Sequence, residues 1–86
     1  MWALVFAYRA QKDAVKLARA GLKPQAQKLL DLLRVNPWKT PPTLEKLHGD
    51  LAGLYSRRIN RQHRLVYEVL EAERTVKVLA MWTHYE

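Results

Sequence analysis

The sequence predicts a single α+β domain with the element order β-α-α-β-β-β, in which a helical hairpin packs on one face of a mostly antiparallel sheet. Three observations predict it: an apolar run at the N-terminus, two stretches with helical spacing of apolar residues, and a C-terminal part rich in β-branched and aromatic residues. The chain has 86 residues, which suits one domain with one hydrophobic core. Residues 1–86 are therefore interpreted as one unit.

The first strand is predicted at residues 2–8, a continuous apolar run bounded by Arg9. A short run containing Val, Phe, Tyr and Trp favours a strand over a helix, and its lack of alternation indicates a buried strand in the centre of a sheet. The apolar period changes at Ala10, where the first helix is predicted to begin.

The first helix is predicted to end at Gly21. Apolar residues recur along it with the spacing of a helix that packs on a sheet: Ala14, Leu17, Ala18 and Leu22. Opposite them lies a basic ridge, formed by Lys12, Lys16, Arg19 and Lys23. Such a ridge is either a solvated face or, given the net charge of +7, a surface that contacts phosphate.

The second helix is predicted to begin near Pro24, which suits a first helical turn, and to stop at Pro37. Its core stripe is Ala26, Leu29, Leu30 and Leu33. Residues 36–50 contain three prolines and a glycine, so this segment is predicted to be irregular. A loop this long in a small domain indicates a functional segment, and it carries Glu45 and His48.

A β-hairpin is predicted at residues 54–67, with a polar turn at residues 60–62. It carries four arginines: Arg57, Arg58, Arg61 and Arg64. Arginines in strands are typical either of a solvated face or of a surface where guanidinium groups and aromatic rings hold phosphate. A last strand is predicted at residues 74–83, and it is apolar on both faces, which indicates a central position.

The composition limits the possible partners and compartments. A net charge of +7 leaves nucleic acid, an anionic membrane surface or an acidic protein, and the helices lack the bulky apolar face of a membrane binder. The absence of cysteine excludes disulfides and thiolate metal sites and fits the cytoplasm, where we expect the protein. The N-terminal run is too short to span a membrane and lacks a positive n-region.

The residues that could carry chemistry are acid–base groups beside cations. The chain has no P-loop and no nucleophile elbow, and its three histidines have no metal-ligand spacing, so we expect no metal or cofactor. Glu45 could serve as a base, the four hairpin arginines as anion clamps, and one of three imidazoles as an acid: His48, His63 or His84. Cleavage of an RNA phosphodiester requires such a set.

Residues 47–67, above all 55–59 and 63–67, resemble the YoeB/Txe branch of the RelE toxin superfamily, as does the ending at residues 82–85. The resemblance implies a RelE-like fold and a toxin of a type II toxin–antitoxin system. Such toxins are ribosome-dependent endoribonucleases that cut mRNA in the ribosomal A site, and an acidic antitoxin of the YefM/Phd type neutralises them.

By position, the resemblance implies a role for individual residues. Glu45 matches the general base, Arg64 the arginine that stabilises the transition state, His84 the general acid, and Tyr85 a tyrosine that orders the site. Further RNA contacts are expected from Arg57, Arg58, His48 and the basic ridge. His48 departs from the family pattern, because relatives commonly carry lysine there. His63 is interpreted as a structural residue that presents Arg64.

Two further function classes remain beside the endoribonuclease. A non-catalytic RNA-binding module of the same fold would use the same basic residues, and only the carboxylate–arginine–imidazole set favours the enzyme. A DNA-binding regulator is disfavoured, because no helix-turn-helix signature is present. For the enzyme, no cysteine is available and Ser56, the only serine, has no predicted base beside it, so the RNA 2′-hydroxyl is the expected nucleophile.

Overall fold

The computed structural model describes residues 1–84, with side chains through residue 83. The order of its elements is β1 (Ala3–Phe6), α1 (Tyr8–Arg19), α2 (Lys23–Val35), β2 (Glu45–Lys46), a 3₁₀ turn (Gly49–Leu51), β3 (Leu54–Arg58), β4 (His63–Leu70) and β5 (Thr75–His84). The predicted α+β fold is confirmed, including the helical hairpin and the β3–β4 hairpin. Two elements were not predicted: the two-residue strand β2, which lies within the segment expected to be irregular, and the 3₁₀ turn that follows it.

The five strands form one sheet in the order β1-β5-β4-β3-β2, in which β1 runs parallel to β5 and the other pairs are antiparallel. Strand β5 lies between β1 and β4, which confirms its predicted interior position. The predicted central position of the first strand is wrong, because β1 is an edge strand. Exposed and half-buried residues alternate along it, a distinction that an apolar run does not reveal.

The connection between the two helices is a Schellman motif. Gly21 has a φ of 75°, its N–H donates to the Ala18 carbonyl at 3.2 Å, and the Leu22 N–H donates to the Leu17 carbonyl at 2.9 Å. Helix α1 therefore ends at Arg19, and Lys23 begins α2. The predicted basic ridge is thus split, because only its first three members share a helix.

The buried face of α1 consists of Ala10, Asp13 and Leu17, so the predicted apolar stripe is rotated: Ala14 and Ala18 are exposed. The physical reason is Asp13, a carboxylate only 3% exposed, whose Oδ2 accepts the Met81 N–H at 3.0 Å. This bond attaches α1 to the sheet through a charged side chain that a hydrophobic pattern does not detect.

Asp13 binds β5 where the strand is irregular. In the β4–β5 pair, residue 64 faces residue 83, residue 66 faces residue 80, and residue 67 faces residue 78. Strand β5 therefore has one extra residue between the first two pairs and another between the last two. Such bulges leave backbone groups unpaired in the ladder and bend the strand. The Asp13 carboxylate satisfies the Met81 N–H close to this region.

The hydrophobic core lies between the helical hairpin and one face of the sheet. It comprises Trp2, Ala10, Leu17, Ala26, Leu29, Leu30, Leu33, Ile59, Leu65, Tyr67, Val76, Val78 and Met81. All four core residues predicted for α2 belong to it. Among residues 1–84, no helix has the length and apolar character needed to cross a bilayer.

Candidate active site

The centre of the candidate site is an ion pair between Arg64 and Glu45. Arg64 is 5% exposed, and its Nη1 donates to Glu45 Oε1 at 2.8 Å and to Ser56 Oγ at 3.2 Å. The Glu45 side chain is 39% exposed, so solvent reaches the carboxylate. The arrangement therefore joins a buried cation to an accessible carboxylate.

Strand register brings these three side chains together. Glu45 of β2 lies opposite Ser56 of β3, and facing residues of paired strands project from the same side of a sheet. On β4, Leu65 and Tyr67 enter the core beneath the helices, so Arg64 and Val66 project from the opposite face. The two-residue strand β2 thus places Glu45 at the sheet edge, next to the guanidinium.

Two cavities meet this ion pair. One of about 300 Å³ has mostly apolar walls and includes Arg64; its other lining residues are Arg9, Leu47, Leu51, Leu54, Ser56, Val66, Leu79, Ala80 and Thr83. We call it the cleft. The second, of about 350 Å³, is lined by Glu45, Arg58, Pro42 and Thr43. Glu45 and the exposed Arg58 therefore flank a surface that an anion can reach from solvent.

The proposed acid lies at the end of β5. His84 pairs with His63, and the preceding Thr83 pairs with Arg64. The backbone thus carries His84 to the register position next to Arg64. The side chain of His84, together with Tyr85, lies outside the described residues, so their assigned roles stay predictions.

The other two histidines have different surroundings. His63 is 5% exposed and its ring stacks on Trp82, with centroids 3.9 Å apart and an interplanar angle of 20°. This packing supports the interpretation of His63 as a structural residue. His48 is exposed and precedes the 3₁₀ turn.

The RNA-binding role assigned to Arg57 is wrong. Arg57 is fully buried on the core side of β3, and its guanidinium donates to three neutral oxygens: Pro42 O at 2.8 Å, Pro37 O at 3.0 Å and Tyr67 Oη at 3.0 Å. No phosphate can reach it. The sequence did contain a signal, because consecutive residues of a strand face opposite sides and Arg57 and Arg58 cannot share one surface.

Tyr67 completes the Arg57 cluster. Its hydroxyl donates to the Pro37 carbonyl at 2.7 Å while it accepts from Arg57. Burial raises the pKa of the Tyr67 hydroxyl; the hydrogen bond and charge of Arg57 oppose this, and Tyr55 adds to it. The Arg57 cluster anchors the loop between α2 and β2, and that loop leads to Glu45.

Two parts of the site were not found from the sequence. Ser56 was considered only as a nucleophile, yet it is 1% exposed and supports Arg64 through its hydroxyl. The apolar wall of the cleft was also missed, because its residues come from separate segments. Among the described side chains, those of residues 1–83, no group of three from His, Cys, Asp and Glu is placed to hold a metal ion.

The arrangement offers two chemical functions in one place. A carboxylate open to solvent can accept a proton, and a guanidinium held by Ser56 can stabilise an anion in a partly apolar cleft.

Comparison with known proteins identifies the family. Residues 6–85 match the family model described as YoeB-like toxin of bacterial type II toxin–antitoxin system. Toxin YoeB from Synechocystis sp. is 43% identical over 76 residues, which cover 88% of this chain and 79% of that protein.

Solved structures agree with this match. A YoeB/ParE toxin from Agrobacterium tumefaciens superimposes with a TM-score of 0.86 at 29% identity, covering 96% of this chain and 99% of the other. The YoeB chain of a YoeB–YefM complex from Staphylococcus aureus gives a TM-score of 0.81 at 30% identity, with 99% of each chain covered. The chain therefore belongs to the family of YoeB-like toxins of bacterial type II toxin–antitoxin systems.

Proposed function

We propose that this toxin is a metal-independent, ribosome-dependent endoribonuclease that cuts mRNA by attack of the RNA's own 2′-hydroxyl. The observation that carries the proposal is the contact of 2.8 Å between the solvent-accessible Glu45 carboxylate and the buried Arg64 guanidinium. A base and an anion-stabilising cation side by side suit a reaction in which a hydroxyl loses a proton while charge develops on phosphorus.

In the proposed reaction, Glu45 accepts the proton of the 2′-hydroxyl on the nucleotide 5′ of the cut. The 2′-oxygen forms a bond to the adjacent phosphorus, the bond to the 5′-oxygen breaks, and His84 donates a proton to that oxygen. Arg64 stabilises the additional negative charge at phosphorus. The products are a 2′,3′-cyclic phosphate and a free 5′-hydroxyl.

The surroundings of Ser56 support the choice of the RNA hydroxyl as nucleophile. Ser56 is the chain's only serine, cysteine is absent, and the Ser56 hydroxyl is buried against Arg64. The 2′-hydroxyl lies next to the scissile phosphate and has the entropic advantage of intramolecular attack.

The ion pair also indicates how substrate binding would release the Glu45 carboxylate from Arg64. In the free protein, Arg64 shares its charge with Glu45 at 2.8 Å. A phosphodiester that enters the site competes with Glu45 for the guanidinium. As Arg64 turns toward the phosphate, the carboxylate becomes available to accept a proton.

Other residues are proposed to bind RNA without reacting. Arg58 lies beside Glu45 and is exposed, so it suits a neighbouring phosphate. The remaining proposed contacts are His48, Lys12, Lys16, Arg19 and Lys23, all of them exposed. Tyr85 is proposed to order the site and pack against the substrate.

The proposed partners are mRNA, the ribosome and an acidic antitoxin of the YefM/Phd type, all met in the cytoplasm. The net charge of +7 and the YoeB–YefM complex of the S. aureus relative support the antitoxin. We expect a partly disordered acidic segment that folds across the site. Charge reversal of the exposed Arg58 should weaken its binding.

The proposal is tested with mRNA that carries a 2′-deoxynucleotide at the position 5′ of the cut, bound to ribosomes. We expect cleavage to be abolished and binding to remain nearly unchanged. Cleavage of this substrate, or fragments with 5′-phosphates, would show that water is the nucleophile and that the roles of Glu45 and His84 are wrong. Binding without cleavage of the normal substrate would identify a non-catalytic RNA-binding module.

A further inference from the structure

A second groove lies beside the cleft, between the start of α1 and the end of β5. It has a volume of about 490 Å³ and is lined by Tyr8, Arg9, Lys12, Asp13, Lys16 and Trp82. We call it the α1 groove. Among the described residues that line it, its three cations are accompanied by one carboxylate, that of Asp13, which is nearly inaccessible and already accepts the Met81 N–H.

Helix stability does not explain the cations at this place. The N-terminus of a helix carries a partial positive charge, so acidic residues stabilise the first turn and basic residues oppose it. The first turn of α1 contains no acidic residue, Arg9 lies within it, and Lys12 follows one position after it. A bound anion would be favoured by the helix end and by both side chains.

One exposed and one half-buried aromatic ring lie among these cations. Tyr8 is 72% exposed, and the Lys12 Nζ lies 4.9 Å from the centroid of its ring. Trp82 also lines the groove, and its ring stacks on that of His63. Aromatic faces alternating with cations suit single-stranded nucleic acid, whose bases stack while its phosphates pair with the cations.

The α1 groove continues from the cleft through one residue. Arg9 lines both cavities, and its Nε lies 3.6 Å from Asp13 Oδ2. Asp13 in turn binds the backbone of β5 at Met81, between Ala80 of the cleft wall and Trp82 of the α1 groove. The bond between Asp13 and Met81 therefore joins α1, which carries Arg9, to β5, which lines both cavities.

We propose that the α1 groove binds the single-stranded RNA that extends from the cleft, with Arg9, Lys12 and Lys16 on its phosphates and a base against Tyr8 or Trp82. This inference rests on the proposed function, because the cleft is taken to hold the scissile phosphate. It assigns Lys12 and Lys16 to the substrate strand itself and adds Tyr8, Arg9 and Trp82 to the binding surface.

The test compares short RNAs that carry the 2′-deoxynucleotide at the cut and so report binding alone. A three-nucleotide core is compared with RNAs extended by three nucleotides at the 5′ or the 3′ end, by fluorescence anisotropy at low salt. For the wild-type toxin we expect one of the extended RNAs to bind at least about tenfold tighter than the core. Each contact with a single-strand phosphate should add about 0.7 to the salt slope.

In the variant Lys12→Gln/Lys16→Gln, the ratio of affinities for the extended and the core RNA should fall to about twofold. In Tyr8→Ala this ratio should fall by a factor of about five. The matched control is Lys28→Gln/Arg34→Gln, which removes the same charge from exposed positions of α2 and should keep the full advantage. The mutated residues are exposed, so circular dichroism should show the folded protein in each case.

Two results would overturn the inference. The first is equal affinity of the wild-type toxin for core and extended RNAs, and the second is an undiminished preference for the extended RNA in Lys12→Gln/Lys16→Gln. If, in the second case, that variant also binds an acidic antitoxin peptide more weakly, the groove would be assigned to a protein. Cleavage of the deoxy substrate would refute the 2′-hydroxyl mechanism alone, because the α1 groove is judged by affinity.

Discussion

The two faces of the β3–β4 hairpin each bury an arginine, and the two differ in what they bind. Arg57, at 0% exposure, donates to two backbone carbonyls and a tyrosine hydroxyl. Arg64, at 5% exposure, donates to a solvent-accessible carboxylate and a serine. Burial therefore does not distinguish Arg57 from Arg64, for which we propose a role in catalysis, whereas the charge and accessibility of the acceptor do.

The neutral acceptors of Arg57 give it a structural role. Each hydrogen bond from a charged donor contributes about 1.5–3 kcal/mol, and here the donors fix a loop that has little regular structure. That loop leads directly to Glu45. Arg57 thus stabilises the loop that positions Glu45, whereas Arg64 lines the cleft itself.

The largest expected effect is on the Arg64 side. Arg64→Ala and Glu45→Gln should each lower the single-turnover cleavage rate on ribosomes by about 10²–10⁴, which corresponds to about 3–5 kcal/mol of activation free energy. His84→Gln should have an effect of similar size. Because Glu45 and Arg64 touch, the double variant should lose much less than the product of the two single losses.

The exposed Arg61 in the hairpin turn provides the control, and Arg61→Ala should retain cleavage within a few-fold of wild type. Cleavage at the wild-type rate by Arg64→Ala would show that Arg64, like Arg57, takes no part in the reaction. Full activity of His84→Gln would move the acid to another residue.

The next effect is on the Arg57 side, and it concerns folding. Arg57→Met should lower the free energy of unfolding by about 3–5 kcal/mol, because three oxygen atoms lose a charged donor and two of these hydrogen bonds are buried. Urea denaturation measures this loss, and Arg58→Met at an exposed position should change it by less than about 0.5 kcal/mol. Arg57→Met protein that unfolds like wild type yet fails to bind RNA would reverse the structural assignment.

Asp13 extends the comparison to a buried carboxylate. Like Arg57, it binds a backbone group, the Met81 N–H at 3.0 Å. Asp13→Ala should cost about 1–3 kcal/mol of unfolding free energy, because a buried donor loses its partner, and Asp13→Asn should restore most of it by keeping an acceptor oxygen. Equal destabilisation by both variants would indicate that the negative charge, not the hydrogen bond, is required.

The smallest effect concerns pH and the Tyr67 hydroxyl. Its pKa is raised in the folded protein, chiefly by burial, so ionisation is easier in the unfolded chain. The contribution of the neutral hydroxyl is complete below the ordinary tyrosine pKa of about 10 and is lost as pH rises above it, by at most about 1.4 kcal/mol per pH unit. Urea unfolding between pH 8 and 11 should show a shallower decline for Tyr67→Phe than for wild type, whereas Tyr8→Phe at an exposed position should follow wild type.

The sequence predicts the elements of this fold well where local pattern decides. The last strand, the core stripe of α2 and the β3–β4 hairpin all depend on residues that are close in the chain, and each was confirmed. The edge position of β1 and the short strand β2 depend on which strands pair. Chain-distant pairing of this kind has no signature in a run of two to seven residues.

In the candidate site, too, some features could be predicted from the sequence and others depend on how distant strands pair. Glu45 and Arg64 were named together from family resemblance, and the register of β2, β3 and β4 places them in contact. Arg57 was misassigned because a count of arginines ignores the alternation of a strand. Asp13 and the α1 groove were missed because they join residues of α1 to residues of β5 that are distant in the chain.

The parallel pairing of β1 with β5 has a consequence for the order in which the protein folds. Ala3 pairs with Thr75, so the first strand of the described sheet finds its partner only after about seventy residues have been synthesised. The helical hairpin and the β3–β4 hairpin consist of local contacts and can form earlier. Because Arg64 faces Thr83 of β5, the backbone beside Arg64 is completed by one of the last segments of the chain to be synthesised.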